Sequence, residues 1–155
     1  NMSVAENLIL QDTKSARFSA GRGFYLKKKE IHRFALDLQK KNDIRCASVD
    51  QEVRNLSGGN QQKVILAREL SRNPDLLVAV HPTRGLDIGA AKFVHDTMEE
   101  ARDKGCGILL ISADFDEILK ISDRILVMSE GHIAYETPAA SADIGEIGRH
   151  MAGHH

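Results

Sequence analysis

A small hydroxyl, two glycines and an amide stand together in Leu56-Ser57-Gly58-Gly59-Asn60-Gln61-Gln62, directly ahead of an amphipathic stretch. Such a run can hold a phosphate. Ser57 can donate its hydroxyl to an anionic oxygen, and Gly58 and Gly59 let a ligand reach the backbone with no side chain in the way. A helix starting near Asn60 would turn its free N–H groups and its positive end toward the anion. The plain alternative is an ordinary serine N-cap, since Ser-Gly-Gly also opens helices that bind nothing. The chain contains no G-x-x-x-x-G-K-[ST] run, the usual phosphate cradle. Taken alone, the stretch leaves both readings open.

Other residue types that could do chemistry carry less. Cys46 and Cys106 are distant and form no C-x-x-C pair, which points to reduced thiols and no metal centre. His150 and His154 are spaced i, i+4, but at a terminus expected to fray, and His154-His155 could equally be tag residues. Lys27, Lys28, Lys29, Arg33, Lys40 and Lys41 could suggest a nucleic-acid patch. The formal net charge of −1 and the lack of interleaved aromatics favour a solvated helix face instead, so no nucleic-acid partner is expected. Arg17, Phe18, Arg22 and Phe24 fall in a loop and are contact candidates of undefined kind.

The elements that must position these residues follow from pattern. Ser3-Val4-Ala5-Glu6 is a capping box opening a short helix to about Leu10. Residues 11–26 read as loop. A helix over 26–41 buries Ile31, Phe34, Ala35 and Leu38, and residues 42–56 are irregular. The segment 61–72 is helical with Val64, Ala67 and Leu70 inward, and Asn73-Pro74-Asp75 stops it. Leu76 to Val80 reads as a buried strand, 87–104 as a helix with Phe93, Val94, Met98 and Ala101 inward, and Ile108 to Ile111 as a second buried strand. A helix over 114–121, a strand over 125–128, a turn at Glu130-Gly131, a strand over 132–135 and a helix over 144–151 complete the order. Alternation after residue 55 argues an α/β fold with a mainly parallel sheet. With 155 residues, 42% hydrophobic and 28% charged, the chain can build one real core. No run of 18 apolar residues occurs, and Asn1-Met2-Ser3 opens no secretion signal.

Leu56 to Val64, followed by Ala67-Arg68-Glu69-Leu70, resembles the signature motif of the ABC-type ATPases in its importer form. Leu76 to Asp87 (Leu-Leu-Val-Ala-Val-His-Pro-Thr-Arg-Gly-Leu-Asp) resembles the Walker B strand and D-loop. Ile111-Ser112-Ala113-Asp114 stands where that family has its switch histidine, and Asp123 to Met128 with Glu130 to Ile133 resemble its closing strands. The likeness covers nearly the whole chain in order and spacing. It is strongest to the fused, two-domain ATPase subunits of ribose-type sugar importers, the nucleoside-importing branch included. The resemblance implies a partial P-loop NTPase core. Residues 1–55 would form a helical subdomain facing the permease, and 56–155 the C-terminal part of the second nucleotide-binding core, the phosphate loop lying before residue 1.

Three positions depart from the family pattern. Where the family has a magnesium-supporting Asp and a water-polarising Glu, this chain has Val80 and His81, and the switch position is Ala113. Val80 can neither accept a hydrogen bond nor hold a metal-bound water. His81, with an ordinary pKa near ~6.5, lacks the fixed charge of a carboxylate. No catalytic position on this domain's own site is intact, and no metal is expected on the fragment. By contrast Ser57, Gly58, Gly59, Asn60 and Gln61 match the signature, and Gly85, Leu86 and Asp87 match the D-loop that crosses the domain interface.

Because such domains pair head to tail, the resemblance implies that this signature closes over ATP and Mg²⁺ held by the first nucleotide-binding domain of the same subunit. Membrane permease subunits would be direct partners, an external solute-binding protein an indirect one, and the cytoplasmic face of the membrane the peripheral location. The fragment alone is expected to be inactive, whereas Ser57→Arg or Gly59→Asp in the full subunit is expected to abolish uptake. An ATPase acting on DNA is the alternative, disfavoured by the absence of sustained heptads before Leu56. A regulatory domain without turnover is a further one. The transported solute is not legible.

Overall fold

The structure is a computed structural model that describes residues 2–21 and 25–153. Arg22, Gly23, Phe24, His154 and His155 lie outside the described residues, and with them the His150–His154 pairing and half of the loop's contact candidates. Two compact bodies are present, one of Asn1–Leu77 with Pro82–Ile108 and one of Val78–His81 with Leu109–His155.

The first body begins with α1 (Val4–Leu8), whose capping box forms as its sequence demands: Ser3 Oγ accepts from the Glu6 backbone, and Glu6 accepts from the Ser3 backbone at 2.8 Å. The segment read as pure loop contains two residue pairs in antiparallel register, β1 (Ser19–Ala20) and β2 (Tyr25–Leu26). Two-residue strands are too short to leave an alternating pattern, which is why the sequence does not announce them. Next come α2 (Lys28–Lys41) and α3 (Gly58–Leu70). The apolar stripe of α2 packs as expected, with Ile31, Ala35 and Leu38 buried against Val4, Leu8 and Ile9 of the N-terminal segment and Val64 and Ala67 of α3. Phe34 is half-buried beside Phe18, ring centres 4.9 Å apart, and the Arg17 guanidinium lies 4.4 Å over the Phe34 ring. A polar seam also ties α3 to the N-terminal segment: Arg68 donates to Asn7 Oδ1 at 2.8 Å, and Gln11 donates to the Glu69 carboxylate.

β3 (Leu76–Val80), α4 (Ile88–Asp103) and β4 (Gly107–Ile111) make a strand–helix–strand crossover. Gly107 N donates to Asp75 O and His81 N to Ile111 O, both at 2.8 Å, so the two strands run parallel. One expectation is corrected here. β3 is not buried throughout: Leu77 and Ala79 are each 7% exposed, whereas Leu76, Val78 and Val80 stand 53–59% open. Leu109 and Ile111 of β4 are likewise exposed. A continuous apolar run signals layers on both faces, and among the described residues one face of this pair is uncovered.

The second body holds α5 (Phe115–Ile121), the antiparallel hairpin β5 (Arg124–Ser129) and β6 (His132–Pro138), and α6 (Ile144–Met151). Glu130 and Gly131 both have positive φ, as the tight turn requires. Ile125, Val127 and Ile147 form its core, with Phe115, Ile118, Leu119 and Tyr135 packed against them. Asp114 and Asp143 cap α5 and α6 through their carboxylates.

Candidate functional site

Leu56 is buried in the core of the first body and anchors the stretch that follows. Ser57 is extended and caps α3, so the helix begins at Gly58, slightly earlier than its apolar pattern shows. The N–H groups of Gly58 and Gly59, at the first two helical positions, have no intrahelical acceptor. Ser57 and Gly58 are exposed. The cap is neutral and the first turn of α3 carries no acidic residue, so the positive helix end is not compensated by a side chain. α1, α4, α5 and α6 each have an acidic residue at the cap or in the first turn.

The neighbouring amides are occupied within the loop. Asn60 Oδ1 accepts from the Arg45 backbone N–H at 2.8 Å, and Asn60 Nδ2 donates to Ser57 Oγ at 2.9 Å. Gln61 Nε2 donates to Leu56 O at 2.9 Å. These bonds hold the loop, and among the described residues neither the Ser57 hydroxyl nor the Gly58 and Gly59 N–H groups have an acceptor.

The same structure brings the residues 85–87 beside this loop. Gly85 has φ of 75°, a left-handed value that glycine adopts freely. Asp87 caps α4, its Oδ1 accepting from Ala90 N at 2.8 Å. A Cβ placed on Gly59 would lie 2.8 Å from Ala90 Cβ, and one on Gly58 would lie 3.8 Å from Leu86 Cδ2. The start of α3 and the start of α4 are therefore in close contact, 30 residues apart in the chain. Gly59 has a packing role that its motif does not reveal. The small residues Gly89, Ala90 and Ala91 were the available signal for a close helix approach.

Lys63, one turn into α3, is a second feature that the sequence reading missed. Its side chain is only 12% exposed. The ammonium donates to Asp43 O and Oδ2, each at 2.8 Å, and lies 4.4 Å over the Phe93 ring. That contact holds the Asp43 carboxyl below its ordinary value, first by the Lys63 hydrogen bond and then by the Lys63 and Arg45 charges. Lys63 thus fastens the 42–47 segment and α4 to the helix that carries Ser57.

In the second body, Val80 ends β3 and is 58% exposed. His81 is exposed with φ of 47°, and its N–H bonds to Ile111 O. Ala113 is exposed just past β4, next to Asp114, whose N–H bonds to Ser112 Oγ at 3.1 Å. Val80, His81 and Ala113 thus share the C-terminal end of a parallel strand pair, the usual location of ligands in open α/β sheets. None of the three carries a carboxylate, and no group of three or more His, Cys, Asp or Glu able to hold a metal occurs among the described residues. None of the three side chains supplies the oxygen ligand that magnesium takes.

The profile of the ABC transporter family matches residues 1–84. Among curated proteins, the chain is 44% identical over 155 residues to the glucose import ATP-binding protein TsgD13 of Haloferax volcanii, covering 99% of this chain and 28% of that protein. It is 43% identical over 150 residues to the guanosine import ATP-binding protein NupO of Bacillus subtilis, covering 97% of this chain and 29% of that one. It is 44% identical over 137 residues to the ribose import ATP-binding protein RbsA of Clostridium perfringens, with 87% and 26% covered. The chain thus spans less than a third of the length of these relatives. Among solved structures, an ATP-binding cassette of an ABC transporter superposes with a TM-score of 0.72 at 24% identity, over 95% of this chain and 62% of that one. A dimeric cassette in a post-hydrolysis state, bound to ADP and Pi, superposes with a TM-score of 0.70 at 22% identity, over 89% and 57%. The α/β fold is that of the ATP-binding cassette, in part.

Proposed function

The chain belongs to the ABC transporter family, and from that membership we propose that it is the C-terminal part of the second nucleotide-binding domain of a fused importer ATPase for sugars or nucleosides. It works by lending Ser57, Gly58 and Gly59 to ATP held on the partner domain. The observation that carries this reading is the start of α3, with a neutral cap, an outward serine hydroxyl and free N–H groups, packed against the Asp87 loop. The importer names of the relatives support the solute class.

The mechanism follows from charge. Negative charge on the terminal phosphate meets the Ser57 hydroxyl, the Gly58 and Gly59 N–H groups and the positive end of α3. In a closed, dry site one such donor contributes ~3–4 kcal/mol to the transition state. Magnesium, when bound on the partner domain, neutralises phosphate charge there; nothing at Val80 or His81 of this chain holds it. The domain's own site is therefore slow or silent, while its signature remains necessary in trans. Residues 1–55 form the surface that meets the permease, and the subunit sits peripherally on the cytoplasmic face. The altered Val80, His81 and Ala113 also favour a second reading, a regulatory domain without turnover. ATP binding by the complete domain pair with no Ser57-dependent hydrolysis would mark that case.

The test is solute uptake by cells carrying the complete subunit. Ser57→Arg is expected to abolish ATP-driven uptake, and the pair Val80→Asp with His81→Glu to change it less than about twofold. Normal transport by the Ser57→Arg protein would overturn the reading. Gly59→Asp is the poorer probe, because any side chain there also strikes Ala90.

A further inference from the structure

We propose that Asn60 is a positioning residue for Ser57: it makes the serine hydroxyl an acceptor on the protein side, so that the proton points out to the phosphate of the partner domain's ATP. This rests on the reading that Ser57 meets that phosphate. A hydroxyl has one proton and two lone pairs. Ser57 Oγ accepts from Asn60 Nδ2 at 2.9 Å and from the Asn60 backbone N–H at 3.4 Å. With both acceptor directions taken by donors, the proton can go only away from α3.

The amide cannot turn round. Its Oδ1 accepts at 2.8 Å from the Arg45 backbone N–H, a group that donates and never accepts. A flipped amide would set donor against donor at Arg45 and offer Ser57 an acceptor instead. Arg45 therefore fixes Asn60, and Asn60 fixes Ser57. The sequence reading placed Asn60 among the nucleotide contacts; here both ends of its amide are engaged within the chain, and its role toward ATP runs through Ser57. The arrangement also joins the 42–47 segment, which follows α2, to the hydroxyl.

ATP turnover by the complete subunit tests this with Ser57→Ala, Asn60→Ala, Asn60→Asp and the double variant Ser57→Ala/Asn60→Ala. Asn60→Asp keeps the shape and the Arg45 bond but replaces the Nδ2 donor with an acceptor, so the serine proton turns inward. Ser57→Ala is expected to lower kcat roughly 100-fold, as for loss of one transition-state donor. Asn60→Ala is expected to lower kcat about tenfold or more with KM for ATP within about twofold, and Asn60→Asp, which also adds a charge to the α3 end, to lower kcat at least as much. In the Ser57→Ala background, Asn60→Ala is expected to change kcat less than about twofold, since residues acting as one unit are not additive. An equal loss in both backgrounds would overturn the proposal and leave the reading of Ser57 intact. An unchanged kcat for Asn60→Asp would overturn it too. A silent Ser57→Ala would overturn the underlying reading, and the proposal with it. Should Asn60→Ala fail to fold, the neutral, near-isosteric Asn60→Leu takes its place in the double variant, because Asn60→Asp adds a charge that acts on phosphate without Ser57.

Discussion

Replacing Gly59 by alanine tests the contact that joins the two motif-bearing helices. The added Cβ would sit 2.8 Å from Ala90 Cβ, whereas carbon atoms in good contact are ~3.5–4.0 Å apart. The starts of α3 and α4 must then separate by about 1 Å, or the two helices must rotate. Forcing one extra methyl into a packed site costs about 1–3 kcal/mol. Alanine in place of glycine returns up to ~1 kcal/mol of helix propensity, less at the second position of a helix. The net expectation for Gly59→Ala is a loss of about 0–3 kcal/mol. That range reaches zero, so the informative quantity is the coupling. Ala90→Gly removes the opposing methyl and costs about 1 kcal/mol as a helix glycine. With both changes the methyl has merely crossed the interface, so the pair should be more stable than the sum of the singles by about 1–3 kcal/mol. Urea unfolding of the parent, both single variants and the double variant measures this cycle. Additivity within about 0.5 kcal/mol would refute the close contact and the packing role of Gly59.

His81 holds a left-handed backbone, φ 47°, on an exposed side chain. His81→Gly should stabilise the protein by up to ~1 kcal/mol, the left-handed penalty less the entropy that glycine loses, and thermal unfolding that shows a lower midpoint would contradict this. Asp43 ionises below its ordinary value of 3.8, chiefly through the Lys63 hydrogen bond. A depressed folded pKa stabilises the protein above the unfolded value and ceases to do so as pH falls through the folded one. The stability gap between the parent and Asp43→Asn should therefore be present at pH 7 and shrink below about pH 4; a gap that is equal at pH 7 and pH 3 in urea titrations would remove the role given to Lys63.

Local chemistry was readable wherever a residue acts on its own neighbours. Ser3, Asp87, Asp114 and Asp143 are caps whose oxygen reaches a backbone N–H two or three residues on. Their helices could be placed from sequence, as could the Glu130-Gly131 turn. The Ser57-Gly58-Gly59 stretch belongs to the same class, since a small cap followed by glycine is a property of consecutive residues. That neither Val80 nor His81 bears a carboxylate is likewise written in the chain.

Contacts between distant residues were decided only by tertiary structure. An apolar run such as Leu76 to Val80 states what each side chain prefers but not which face a second layer will cover, so the exposure of Leu76, Val78 and Val80 was out of reach. Nothing in the spacing of Gly59 and Ala90 says that two helix starts meet there. The partner of Asn60 is a backbone N–H 15 residues away, and that of Lys63 is a carboxylate 20 residues away. Such pairs form because loop closure and core packing happen to bring them within 3 Å, and sequence periodicity, which is local, carries no record of it.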